Sequence, residues 1–192
     1  MKFIDKNTIK LDRELNELDK FVISFIKILE KYTNYVIISG YVSILLGRSR
    51  ATEDIDIFTK KLDKDNFLKL YDDLDNSGYW CLNTSDSNEA YNHLNDGLAI
   101  RFALKETAIP NFEIKFAKKP TDLMSLREHL VVITKEGNLN ISSLEMQIAF
   151  KRHYLKSDKD LEDANHIETL FKDKIDYKLI EEYRKFIKNE KA

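Results

Sequence analysis

Two aspartates one residue apart, Asp54 and Asp56, alternate with Ile55 and Ile57 in "EDIDIFT" (53–59). Such alternation reads as a strand, whose successive side chains point to opposite faces. Ile55 and Ile57 then face one way and the two carboxylates the other. Carboxylates about 7 Å apart along a strand can converge on one cation; without a cation they repel each other and resist burial. An edge strand with a wet face gives the same pattern, so the neighbouring residues decide. Upstream, "YVIISGYVSILLG" (35–47) is a β-rich run ending at Ser39 and Gly40, then a short apolar helix. A glycine opening a helix lets backbone N–H groups approach a phosphate, and the helix N-terminus favours its negative charge. Ser39 and Ser43 add hydroxyl donors. A phosphate cradle beside two aspartates that hold Mg2+ has the parts of a phosphoryl-transfer site, where metal ions activate the attacking oxygen and stabilise the leaving one.

The elements that must position these residues follow from hydrophobic period. Leu11, Leu15, Leu18, Phe21, Val22, Phe25, Ile26 and Leu29 recur at helical spacing and predict a helix over 11–32. Strands are expected at 35–39 and 53–59 with a short helix at 41–47 between them, then an amphipathic helix over 63–78 that stops at Gly78. Further strands are expected at 79–82, 98–104 and 112–117. After Pro120 the pattern predicts a short helix, a small hairpin around "KEGN" and, from Ser142 onward, helices only. Ser142 with Glu145 and Ser157 with Asp160 fit capping boxes. The boundaries drawn from this are an α/β core over 1–118 and a mostly helical part over 119–192. The β–short helix–β order, followed by antiparallel strands, argues against a doubly wound parallel sheet.

Bulk properties narrow the class. The chain of 192 residues is 43% hydrophobic and 33% charged, with five glycines and two prolines, which suits an ordered protein rich in helix. Thirty-one basic residues against 33 acidic ones create no global field for nucleic acid. The single cysteine, Cys81, excludes an internal disulfide and a cysteine-based zinc site. No signal peptide and no membrane span is read from the sequence, so a cytoplasmic protein without a membrane partner is expected.

"SGYVSILLGRSRATEDIDIF" resembles the signature of the polymerase-β-like nucleotidyltransferases, a G-[GS] turn followed by D-x-D. The R-x-T-x-D-I-D core looks most like the minimal AbiEii-type enzymes, several of which are toxins of toxin–antitoxin pairs. The resemblance implies an α/β (α+β) fold with a small mixed sheet flanked by helices and a helical C-terminal part. It implies transfer of a nucleoside monophosphate from an NTP to an acceptor hydroxyl with Mg2+ (or Mn2+). Asp54 and Asp56 would hold the metal, Ser39, Gly40 and Ser43 the triphosphate, and Arg48 or Arg50 would contact phosphate. The turn departs from the family in reading Ser39-Gly40-Tyr41. "AFKRHYLKSDKDLEDANHI" (149–167) resembles the second motif of the same group, placing Lys151 and Asp160 at the nucleotide; Lys159 and Asp163 read equally well as solvated helix charges. The superfamily's third carboxylate, a general base, falls on Glu113 in "NFEIKF", which a surface Glu113–Lys115 pair explains nearly as well. The implied partners are an NTP, an acceptor such as tRNA or another RNA, and an antitoxin protein. Two other readings stay open: a nucleotidyltransferase-fold binder without catalysis, and, from Glu113-x-Lys115, a PD-(D/E)xK-like metal-dependent nuclease.

Overall fold

Residues 1–191 are described by a computed structural model. Two strands that the sequence pattern does not announce come first: Lys2–Asp5 (β1) and Thr8–Lys10 (β2) pair antiparallel. The first helix is shorter than its apolar period, running over Glu17–Leu29 (α1). Asn16 stops it from starting earlier. The Asn16 side chain accepts from the Asp19 N–H at 2.8 Å, and Asp19 accepts from the Asn16 N–H at 3.0 Å. Buried Asp19 is also held by Arg13 and by the Tyr41 hydroxyl at 3.0 Å, which fixes the entry of the chain into α1.

The next elements are Tyr35–Ile38 (β3), Ser39–Leu45 (α2), Asp54–Thr59 (β4), Lys64–Asn76 (α3) and Tyr79–Cys81 (β5). Ser87–Asp96 (α4) is an unexpected helix, capped by Asp86 and ended by Gly97 in the left-handed region at φ +89°. It buries only Ala90 and Leu94 completely, too few apolar positions to register as a period. Ile100–Leu104 (β6), Asn111–Phe116 (β7), Pro120–Arg127 (α5), His129–Ile133 (β8) and Asn138–Ser142 (β9) follow. The helices Leu144–Phe150 (α6), Asp158–Leu170 (α7) and Tyr177–Lys191 (α8) complete the chain, with a π-helical turn over Lys151–Leu155 after α6. The cap of α6 is Ser143, not Ser142; Ser142 ends β9 and accepts from the Gln147 amide at 2.5 Å. The Ser157–Asp160 box at α7 forms as the sequence indicates.

All nine strands form one mixed sheet in the order β1-β2-β8-β9-β3-β4-β7-β6-β5. Contacts between β3 and β9 and between β4 and β7 are parallel; β3–β4, β7–β6 and β6–β5 are antiparallel. The hairpin around "KEGN" forms, and it docks between β2 and β3, so the sheet runs across residue 118 and is larger than the small sheet expected.

The face opposite the aspartates carries an aromatic stack. Phe112 on β7 lies 3.8 Å from Phe25 and 4.5 Å from Phe21, centroid to centroid, both on α1. Phe112 and Phe25 are fully buried. This contact presses β7 onto the core, and β7 carries Glu113 on its other face. Phe112→Ala is therefore expected to cost about 3–5 kcal/mol, read as a lower denaturant midpoint at unchanged slope. A loss below about 1 kcal/mol would mean that the stack does not anchor β7.

Candidate active site

Strand alternation does on β4 what the sequence suggests. Ile55 and Ile57 are buried, while Asp54 and Asp56 lie half-buried on the opposite face. The parallel register of β4 and β7 pairs Asp54 with Asn111 and Asp56 with Glu113. That register is pinned at its start, because the Asn111 N–H donates to the Glu53 carbonyl at 2.9 Å and its side-chain amide to Ala108 at 3.2 Å. Directly paired residues share a sheet face, so Glu113 joins the two aspartates. Carboxylate oxygens of Asp54, Asp56 and Glu113 all lie within 4.8 Å of one another. Three hard oxygen donors at that spacing could hold a hard divalent cation.

Asp56 and Glu113 are shifted in opposite directions. Burial, then the charges of Asp54 and Glu113, push the Asp56 carboxyl up to about 6; the Ser39 hydroxyl and Lys115 offset only part of this. Burial also pushes Glu113 up, but Lys115 and Arg101 more than reverse it and hold it below the usual glutamate range. Lys115 donates to one Glu113 oxygen at 2.8 Å and Arg101 to the other at 2.5 Å. The Glu113–Lys115 pair foreseen in the sequence thus exists on the same face as the aspartates. Arg101 is the partner the sequence does not reveal: its strand "LAIRFAL" shows an arginine at a polar position, but only the β6–β7 register sets it against Glu113.

At the turn between β3 and α2, Gly40 allows a close approach, but of a side chain of this chain. The residue in the left-handed region is Ser39, at φ +64°, and not Gly40. Gly40 is needed for space. A Cβ there would lie 3.1 Å from the Arg50 guanidinium and 3.4 Å from the Thr52 hydroxyl. Ser43 is fully buried in α2 and does not line the cleft described below, so its hydroxyl does not meet a ligand there.

Arg48, Arg50 and Lys151 converge on Asp163. Arg48 Nε donates to it at 2.7 Å, Arg50 at 2.5 Å and Lys151 Nζ at 2.9 Å. Arg48 also pairs with Glu162, and Asp160 stands 3.7 Å from Lys151 while bonding the Ser157 hydroxyl. Asp163 is 0% exposed and Lys151 1%. Burial pushes the Asp163 carboxyl up, and Lys151 and Arg50 more than reverse it, so it stays below the usual range. A carboxylate so deeply buried requires such compensation. Both arginines expected on phosphate are therefore engaged by the residue that read as an optional surface charge. Lys159 is exposed and outside this cluster.

Of the trio, Asp56 lines a cleft of about 440 Å³ between the sheet and the C-terminal helices. Ser39, Asp56 and Lys115 line its sheet side, and Phe150, Lys151 and Tyr154 line the other. Lys151 thus belongs to both the ion cluster and the cleft wall. Phe150 and Tyr154 stack at 4.5 Å, and Lys119 stands 5.9 Å over the Tyr154 ring. The volume lies in the range of small-ligand pockets.

Two predictions follow from these charges. The native state keeps a proton on Asp56 up to about pH 6, while the unfolded chain loses it near 3.8. Stability from this group therefore falls as pH rises from about 4 to about 6, by about 3 kcal/mol, and is flat above. Without metal, the stability of Asp56→Asn minus that of wild type should grow over this window; a pH-independent difference would refute it. In the ion cluster, Asp163→Ala removes the buried anion that three cations share, leaving Arg48 only Glu162 and Lys151 only Asp160, and should cost about 3–5 kcal/mol, whereas Lys151→Ala leaves Asp163 with Arg48 and Arg50 and should cost less. Chemical denaturation that ranks them in the reverse order would contradict this assignment.

No protein-family model matches the sequence, and no curated protein matches it. Solved structures do resemble its fold. ANT(2'')-Ia in complex with adenylyl-2''-tobramycin superposes with a TM-score of 0.56 at 12% identity, covering 90% of this chain and 98% of that one. A nucleotidyltransferase-like protein from Paracoccidioides brasiliensis gives 0.53 at 16% identity, covering 88% and 85%. The lincosamide antibiotic adenylyltransferase LnuA, lincomycin-bound, gives 0.51 at 16% identity, covering 82% and 99%. The AbiEii-type group is not among these three, and at such identities the likeness concerns architecture. The chain has a nucleotidyltransferase-like fold, and Asp54, Asp56 and Glu113 lie together on one face of its sheet.

Proposed function

We propose that this protein is a nucleotidyltransferase that moves a nucleoside monophosphate from an NTP to an acceptor hydroxyl. The observation that carries the reading is the convergence of Asp54, Asp56 and Glu113, with Asp56 lining a cleft of small-ligand size. Those three carboxylates would hold Mg2+ or Mn2+, which when bound supplies positive charge beside the transferring phosphate. Lys118, Lys119 and Lys151 border the cleft; in this reading Lys118 and Lys119 would meet phosphate oxygens, and Lys151, held by Asp163, would reach one only by leaving that partner. The acceptor oxygen bonds the α-phosphorus while the bond from that phosphorus to its bridging oxygen breaks. Pyrophosphate leaves with that electron pair, and the acceptor's proton passes to Glu113, which Lys115 and Arg101 keep ionised at neutral pH. The AbiEii-type resemblance of the R-x-T-x-D-I-D segment adds a toxin–antitoxin setting, an antitoxin partner and a cytoplasmic site of action to this reading. No helix among the described residues is long and apolar enough to cross a membrane.

The Lys115–Glu113 contact at 2.8 Å favours a second reading, a metal-dependent nuclease in which lysine helps activate water. The two cations on Glu113, which weaken it as a base, favour a third, a nucleotide binder without catalysis. One assay separates them: each labelled NTP with Mn2+ or Mg2+ and total RNA or lysate, followed by a search for transferred label. Glu113→Gln should abolish transfer while NTP still raises the melting temperature, and Lys115→Ala should keep most of the transfer. NTP-independent cleavage of nucleic acid that Lys115→Ala abolishes would establish the nuclease instead. Stabilisation by NTP with no transfer to any acceptor would leave the binder.

A further inference from the structure

On the cleft wall that β9 and α6 form, two polar side chains stand nearly buried. Ser142 is 1% exposed and Gln147 is 4% exposed, and both line the cleft. Gln147 Nε2 donates to Ser142 Oγ at 2.5 Å, which fixes the plane of the amide. Its Oε1 accepts no hydrogen bond from the described residues. The sealed polar atoms without a partner belong to Ser43, Thr59, Asn111 and Arg184. Gln147 is not among them, so its Oε1 still reaches solvent, and the cleft is the opening that this residue lines. Ile38, Met146 and Phe150 supply apolar surface to the same cleft. Phe150 lies three residues after Gln147 on α6, so the two share a helix face. A nearly buried carbonyl oxygen in such surroundings calls for a donor.

The sheet sets the distance from this amide to the carboxylates. Ile38 pairs with Asp56, and the Ile37–Ile141 pair places Ser142 beside Ile38. Two strand spacings of about 4.8 Å therefore put Ser142 about 10 Å from Asp56. Resting on the transferase reading, we infer that Ser142 and Gln147 form the nucleobase subsite: Gln147 binds the edge of the base, whose ring lies against Phe150. The distance is the reach of one nucleoside from an α-phosphate held at the carboxylates. Sheet order agrees, because β3 and β9 flank β4 on one side while β7, which leads to Lys118 and Lys119, flanks it on the other. Base and outer phosphates then leave Asp56 in opposite directions. The chemistry agrees as well. A nucleobase has apolar faces and, on its edge, a donor next to an acceptor. The remaining N–H and the carbonyl oxygen of Gln147 match that edge. A sugar is polar all round and would leave the apolar wall unmatched. Every base offers such an edge, so this contact distinguishes a base from none and does not choose among the four.

The test titrates the full-length protein, in Mn2+, with each of the four NTPs and with ribose 5′-triphosphate, which lacks only the base. Gln147→Met nearly keeps the volume and removes both polar atoms. It should weaken every NTP about tenfold and leave ribose 5′-triphosphate unchanged. Gln147→Glu replaces a donor and an acceptor by two acceptors. Only guanine answers these with two adjacent N–H donors, so GTP should become the tightest of the four. A glutamine with a merely structural role gives no such reordering. Should Gln147→Met not fold, Ser142→Ala, which frees the amide from its tether, should weaken the NTPs several-fold and again spare ribose 5′-triphosphate. If the NTPs bind wild type and Gln147→Met equally while label is still transferred, this inference fails and the transferase reading stands. If Gln147 governs NTP binding and no label reaches any acceptor, the subsite stands and the transferase reading fails. Intact NTP binding by Gln147→Met together with a raised acceptor KM would put the acceptor at the amide and overturn the inference.

Discussion

Like-charge crowding is the constraint around which this molecule is organised. Three carboxylates within 4.8 Å of one another repel, and no flexible segment would hold them there. The parallel β4–β7 register does so because both strands are anchored from behind. Ile55 and Ile57 lock β4 into the core, and the Phe21–Phe25–Phe112 stack locks β7. Burial first, and this repulsion second, raise the Asp56 carboxyl, while Arg101 from β6 and Lys115 from β7 hold Glu113. A rigid sheet is the scaffold that permits such spacing, and loops alone would relax it.

A second buried anion does a different task. Asp163 on α7 gathers Arg48 and Arg50 from the segment before β4 and Lys151 from the π-helical turn. It thereby ties the helical part of the chain to the turn that Ser39 and Gly40 form. Arg50 occupies the space that the missing side chain of Gly40 leaves open. The strain at Ser39, a non-glycine residue at φ +64°, is of the kind that persists only where surroundings over-determine the backbone. Here Arg50 and Thr52 crowd the turn, and the Ser39 hydroxyl hydrogen-bonds Asp56.

How much of this could be read from the residues alone depended on range. The Asp54–Ile55–Asp56–Ile57 alternation gave strand and face together, and the alternation around Glu113 gave a candidate for the third carboxylate. Helix α4 stayed hidden because Ala90 and Leu94 are too few to form a period. Strands β1 and β2 stayed hidden because they are short and carry lysine and aspartate. The start of α1 was misplaced since its apolar period continues backward past the Asn16 cap, which only the Asp19 geometry reveals. Arg101 and Asp163 gained their meaning from partners 12 and more than 100 residues away, and no local pattern encodes such a pairing.

The place of β9 bears on how the chain reaches this structure. It sits between β3 and β8, so one edge of β3 is satisfied only by a strand about 100 residues later, and β2 waits longer still for β8. During synthesis the central sheet must therefore stand with β3 unpaired on one side while most of the chain is still being made. Such late pairing slows folding and leaves an open strand exposed to neighbouring chains. At the other border the sheet ends in β5, three residues long, which offers little ladder for an intruding strand. The exposed interval in this protein's life is thus kinetic and central rather than permanent and peripheral, and it closes when the β8–β9 hairpin inserts.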